Sequence, residues 1–149
     1  MWRQKGTKMT SQQIPTLSSL RASMLDSMHS GRDNYNNIAQ YWNGDWTFND
    51  STKGTSTLQQ MTFNGGTVNL GQTGTDIART VTVLANTLTI KSAISNGSNG
   101  YTISLAKAGA GTMVLGGTNT YTGSTVVTNG MLQLNSGNCL SASSNLTVY

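Results

Sequence analysis

The sequence predicts an all-β chain built as a solenoid of short stacked strands. Three observations carry that expectation: strand-length alternation of apolar residues from residue 58 onward, turn-forming Gly and Asn-Gly pairs between the runs, and a near absence of charge. Charged residues make up 9% of the 149, Glu does not occur, and Gly contributes 17. Compact domains carry about 25% charged residues. Disordered chains of low hydropathy usually hold high net charge, whereas the balance here is +4. Thr, Ser and Asn take the places where Lys and Glu normally stand. Alternating with Val, Leu and Ile, they fit strands with one buried face.

The chain divides near residue 50. Residues 1–50 are expected to form a leader or N-terminal cap, with one helix over 16–30. Pro15 and Thr16 can start it, Leu17, Leu20, Met24 and Met28 share a face, and Gly31 can end it. At 41–48 Tyr41, Trp42, Trp46 and Phe48 flank an Asn43-Gly44 turn signal. Aromatic pairs in such a place fit core or edge packing better than a sugar platform.

Residues 51–149 are expected to supply the rungs. The anticipated strands are Leu58–Phe63, Thr67–Leu70, Thr80–Val83 and Thr87–Ile90, the last continuing toward Ile94. Tyr101–Leu105, Thr112–Leu115, Ser124–Val127, Met131–Leu134 and Leu146–Val148 follow. Val68, Leu70, Val81, Val83, Leu88 and Ile90 should point inward, with Tyr101, Ile103 and Leu105 sharing a face. Gly65-Gly66, Asn96-Gly97, Gly116-Gly117 and Asn129-Gly130 stand between the runs, where positive φ is tolerated. A sandwich would also use many short strands, but internal repetition favours a solenoid. Val68, Leu88, Met113 and Leu132 recur about every twenty to twenty-five residues, and "Gly-Gly-Thr-Val-Asn-Leu" at 65–70 echoes "Asn-Gly-Met-Leu-Gln-Leu" at 129–134. Stacked rungs also explain the missing charge. A charge would meet its own copy in the next rung, while Thr and Asn stack as hydrogen-bonding ladders.

Residues 107–135 carry a specific motif, running from Lys107-Ala-Gly-Ala-Gly-Thr-Met-Val-Leu through Asn119-Thr120-Tyr121-Thr122-Gly123 to Asn129-Gly130-Met-Leu-Gln-Leu-Asn135. This run resembles the autotransporter-associated β-strand repeat, a unit of secreted bacterial passengers. Arg79–Ile94 resembles the strand pair that commonly precedes the unit, and 41–78 is similar more loosely. The resemblance implies a right-handed parallel β-helix displayed outside a Gram-negative cell by a C-terminal outer-membrane barrel. The sequence to Tyr149 contains no such barrel, so a fragment or a truncated reading frame is expected. The implied role is a surface-exposed stalk or binding surface. Host or matrix glycans, proteins or neighbouring passenger chains are its expected partners.

No catalytic, cofactor-binding or metal-binding residue is assigned, no cofactor is expected, and the chain is read as no enzyme. His29 stands alone in the leader, which leaves a Ser-His-Asp triad without a second base. Of Asp26, Asp33, Asp45, Asp50 and Asp76, the last falls in the repeat half, beside Arg79, where a local pair or turn role is expected. The alternative is a piece of a β-helical carbohydrate-active enzyme with its catalytic rungs elsewhere, since such enzymes need clustered carboxylates. Gly109 and Gly111 read as a turn, with no Lys-Ser/Thr following as a phosphate loop requires. Cys139, the single cysteine, rules out an internal disulfide and suits a small buried hydrophobe. No run approaches the ~18 apolar residues of a membrane helix, and no apolar stretch follows the basic start as in a secretory signal. Basic residues are too sparse after residue 54 for a phosphate-tracking stripe, so neither nucleic acid nor membrane insertion is expected.

Overall fold

A computed structural model describes residues 32–37, 39–48, 60–71, 75–98 and 100–149. The anticipated helix over 16–30 lies outside the described residues, as do Leu58 and Gln59. The described residues contain thirteen strands and no helix. They are β1 (Arg32–Asn36), β2 (Gln40–Tyr41), β3 (Trp46–Phe48), β4 (Gln60–Asn64), β5 (Thr67–Asn69), β6 (Ile77–Val83) and β7 (Thr87–Ile90). Then come β8 (Ala93–Ser95), β9 (Ile103–Ala108), β10 (Thr112–Leu115), β11 (Thr125–Val127), β12 (Met131–Leu134) and β13 (Leu146–Val148).

Every pairing is parallel and joins strands of successive turns. The first sheet runs β1-β4-β7-β10-β12, the second β13-β11-β9-β6-β3, and the third, smaller one β2-β5-β8. The chain therefore visits the sheets in turn and forms a parallel β-helix: the rungs beginning at β1, β4 and β7 give a strand to each sheet, and those beginning at β10 and β12 give strands to the first two. Parallel strands need crossovers, and here the next two sheets of the rung are the crossover. Neighbouring rungs lie about 4.8 Å apart, the spacing of hydrogen-bonded strands.

Alternation within each strand decides what points inward. In β6 the pattern buries Arg79, Val81 and Val83, and in β9 it buries Ile103, Leu105 and Lys107. Stacking then makes columns. Met61, Leu88, Met113 and Leu132 are aligned through the first sheet, with Phe63, Ile90, Leu115 and Leu134 two residues on. Most of these side chains are fully buried and form one continuous core with Trp42, Val68, Ile94 and Tyr121. Each large aliphatic residue so buried stabilises by about 1.5–3 kcal/mol relative to exposure. Outward positions carry the hydroxyl ladders expected from composition: Thr62 beside Thr89, Thr87 beside Thr112, Thr47 beside Thr82.

Several expectations are corrected. Val68 belongs to the third sheet and stacks on Ile94, so Met61 is the member of the column that Leu88, Met113 and Leu132 form. The echo between 65–70 and 129–134 is accordingly a likeness between strands of different sheets, because any one-face-buried strand shows the same alternation. Tyr101 precedes β9, which begins at Ile103 and runs on to Ala108. β6 begins earlier than expected, at Ile77. The Asn43-Gly44 turn signal is kept and falls at a corner, since β2 and β3 enter different sheets. Trp42 is fully buried, 5.0 Å from Trp46 edge to face, and both rings meet Phe63 edge-on. Core packing of this aromatic pair is borne out.

Candidate functional site

The corners of the helix hold the polar chemistry, because there the backbone leaves its ladders and side chains must satisfy it. At the corner entering the second sheet an acceptor recurs in three successive rungs. Asp45 Oδ1 accepts the Thr80 N–H at 2.8 Å, Asp76 Oδ1 accepts the Thr102 N–H at 2.7 Å, and Asn96 Oδ1 accepts the Thr122 N–H at 3.1 Å. Both described loop aspartates thus bind backbone of the following rung. Of the local pair or turn role expected for Asp76, the loop position before β6 fits the second, and Arg79 is bonded elsewhere. Arg79 is buried, its Nε donates to the Leu70 carbonyl at 2.7 Å, and its electrostatic partner is Asp45. Burial lowers the guanidinium's proton affinity, and the Asp45 carboxylate acts in the opposite sense. Among the described residues the buried Arg79 Nη2, Trp42 Nε1 and Trp46 Nε1 have no hydrogen-bond acceptor.

Lys107 is a second inward cation, which the sparse spread of basic residues after residue 54 does not single out. Its place in Ile103-x-Leu105-x-Lys107 was the available signal. It stacks between Val81 and Val127, so no like charge faces it from either neighbouring rung. The aliphatic stem fills the core while Nζ reaches the corner. There it donates to the carbonyls of Ala108 at 2.8 Å, Gly109 at 2.6 Å and Asn129 at 3.1 Å. Burial shifts this amine below its ordinary value.

The Asn119–Gly123 run replaces a third-sheet strand. Odd positions turn in: Asn119, Tyr121 and Gly123 are buried, whereas Thr118, Thr120 and Thr122 are exposed. Asn119 Oδ1 accepts the Ile94 N–H at 2.9 Å from the rung below, and its Nδ2 donates to the Cys139 carbonyl of the rung above. One carboxamide therefore bridges three rungs, and the chain crosses this corner without a strand. The rung is shortened: β7 to β10 spans residues 87 to 112, while β10 to β12 spans 112 to 131. Cys139 is fully buried, as its small apolar side chain suggested, and its Sγ donates to the Leu115 carbonyl at 2.9 Å.

Tyr121 is fully buried, and its hydroxyl meets Thr125 Oγ1 at 2.5 Å, which in turn meets Ser144 Oγ at 2.8 Å. Burial raises the phenol above its ordinary 10.0, and the hydroxyl contacts to Thr125 and Ser144 act the other way. The folded state then holds this proton more tightly than the unfolded chain. The corresponding stability is present below pH 10.0 and is lost as pH rises through the higher folded value. Melting temperatures followed between about pH 9 and 11 should fall more steeply for the native protein than for Tyr121→Phe. Parallel curves would show that Tyr121 does not titrate with folding.

Of the residues with catalytic potential in the sequence, His29, Asp26 and Asp50 lie outside the described residues, and nothing is described of the Asp33 side chain in β1. Among the described residues no group of three or more His, Cys, Asp or Glu side chains is placed to hold a metal ion. No described helix is long and apolar enough to cross a membrane. No curated protein and no solved structure matches the chain. The rungs from the second half of β9 to the end of β12, with the Lys107 corner and the Asn119 bridge between them, are a different case: residues 105–134 match the passenger-associated-transport-repeat family, a structural repeat.

Proposed function

We propose that this chain is a structural and adhesive segment of a secreted autotransporter passenger, serving as a surface-exposed β-helical stalk or binding surface. The observation that carries the reading is that the 105–134 match falls on rungs of a parallel β-helix, from within β9 through β10 and β11 to the end of β12. The repeat is a unit of stacking, so more copies would lengthen the same rod. Its outward faces present Thr, Ser and Asn, groups that hydrogen-bond glycans or matrix proteins weakly, with affinity accumulating over many rungs. The two loop aspartates are engaged with backbone, which favours a structural role over a carboxylate-based one.

Displaying the full chain on a Gram-negative cell through a heterologous outer-membrane barrel tests the reading. Protease added to intact cells should leave a resistant core containing 60–149, and cells should gain adhesion to immobilised matrix protein or glycan over cells carrying the barrel alone. A chain that stays inside the cell or is digested completely overturns the passenger reading. A resistant, displayed rod without gained adhesion overturns the adhesive part and leaves the stalk.

A further inference from the structure

Five Asn-Gly pairs occur in the sequence, and at Asn129-Gly130 the corner sets the asparagine side chain against its own following amide. Asn129 is exposed, and the Gly130 N–H donates to the Oδ1 of its own Asn129 carboxamide at 2.8 Å. The nitrogen that closes a succinimide is thereby held beside the carboxamide whose Cγ it must reach. Gly130 takes φ +75°, a left-handed setting that favours glycine, and a Cβ there would lie 2.6 Å from the Gly111 carbonyl oxygen. The third feature is Lys107. Its Nζ donates to the Asn129 carbonyl, the oxygen of the same peptide group whose nitrogen is Gly130 N.

We propose that Asn129-Gly130 is a self-modification site at which the fold promotes conversion of Asn129 to aspartate and isoaspartate, with Lys107 as the activating residue. Hydroxide removes the Gly130 amide proton, and the negative charge spreads over nitrogen and the Asn129 carbonyl oxygen, where the Lys107 ammonium stabilises it. The nitrogen forms a bond to Asn129 Cγ, the Cγ–Nδ2 bond breaks, and ammonia leaves with a proton from water. A water molecule then opens the five-membered imide at either carbonyl. Opening at one gives Asp, and opening at the other gives isoaspartate with one extra methylene in the main chain. The sum is asparagine plus water to acid plus ammonia, with no oxidant or reductant.

Asn96-Gly97 supplies an internal control in the same molecule. Its Nδ2 donates to the Tyr101 carbonyl at 2.8 Å and to Thr122 Oγ1 at 2.6 Å, and its Oδ1 accepts from Thr122 N. The Gly97 N–H is directed elsewhere, to Ser95 Oγ at 3.4 Å. The carboxamide is tied to the next rung and held from its own backbone. The consequence at Asn129 is local. An isoaspartate would lengthen the corner that feeds β12, where the Met131 N–H reaches the Gly111 carbonyl at 3.3 Å, and so loosen β12 from β10.

The test is peptide mass spectrometry with isoaspartate detection on the full chain, incubated at mildly alkaline pH, folded and in urea. In the folded protein Asn129 should convert about ten-fold faster than Asn96, and in urea the two rates should converge, since both precede Gly. Equal rates in the folded protein, or a contrast that survives unfolding, overturn the proposal. Lys107→Met should slow Asn129 several-fold while Lys107→Arg keeps the rate, and an unchanged rate in Lys107→Met overturns the role of the ammonium. Asn96 reports on folding in each variant, because loss of its rung-to-rung bonds would raise its rate to the urea value.

Discussion

Asn119→Asp should cost about 2–4 kcal/mol at neutral pH and regain part of that on acidification. The native carboxamide uses both ends: Oδ1 accepts from Ile94 N, and Nδ2 donates to the Cys139 carbonyl. A carboxylate can keep the first bond but sets an oxygen against the Cys139 carbonyl, and the position is 4% exposed. Shut off from bulk solvent there, the introduced carboxyl is driven toward its neutral form, above the ordinary value of about 3.9. A group whose folded value is raised contributes stability at low pH and loses it as pH rises through that value. Urea unfolding at about pH 7 and pH 4 should therefore show a smaller deficit at the lower pH. Asn119→Ala has no charge to titrate. It should cost about 2 kcal/mol from the two unmet backbone groups, with no recovery in acid beyond that of the native protein. A variant as stable as the native protein at neutral pH would mean that Asn119 does not hold the rungs together.

How the sequence relates to this arrangement follows from period. Alternation by two is visible in any single strand, which is why the inward Val81, Val83, Leu88 and Ile90 were legible in advance. Which strand stacks on which is not visible there, because strands of all three sheets obey the same alternation. Hence Val68 looked like a partner of Leu88, although the rung geometry assigns that place to Met61. Inward polar residues are hidden for a further reason. Lys107 and Arg79 occupy apolar positions of the pattern, and their burial depends on carbonyls contributed by distant corners. The motif at 119–123 was recognisable as a unit, but its roles needed the neighbouring rungs. Asn119 is bound to residues 94 and 139, twenty or more positions away. The two cations also show why so few charges are present. Each has uncharged residues in its stacking positions, Leu105 above Arg79 and valines on either side of Lys107.

The glycine that ends the same motif should give the other large effect. Gly123→Ala is expected to cost about 3 kcal/mol, near the upper end for overpacking by one methyl. A Cβ at 123 would lie 2.5 Å from both the Ile103 carbonyl carbon and Ser104 N, which are backbone of the rung below. These atoms cannot withdraw as a side chain could. Gly123 N donates to the Ile103 carbonyl at 3.0 Å, and Leu105 N donates to the Ser124 carbonyl at 2.9 Å, so the two rungs are clamped on both sides of the contact. Relief would require opening the ladder between β9 and β11, and Tyr121 and Thr125, whose hydroxyls are bonded, would move with it. Gly137 is the matched control, since nothing lies within 4 Å of a Cβ built there. Gly137→Ala should change stability by less than about 0.5 kcal/mol. Chemical unfolding of the two variants would separate the effects, and amide exchange in Gly123→Ala should show lost protection at Leu105 and Thr128, whose amides bond across this pair of rungs. Equal stability of the two would refute the close approach of rungs at this corner. The glycine is needed because parallel rungs sit one strand-spacing apart even at the bend, which leaves room for a hydrogen there and none for a methyl.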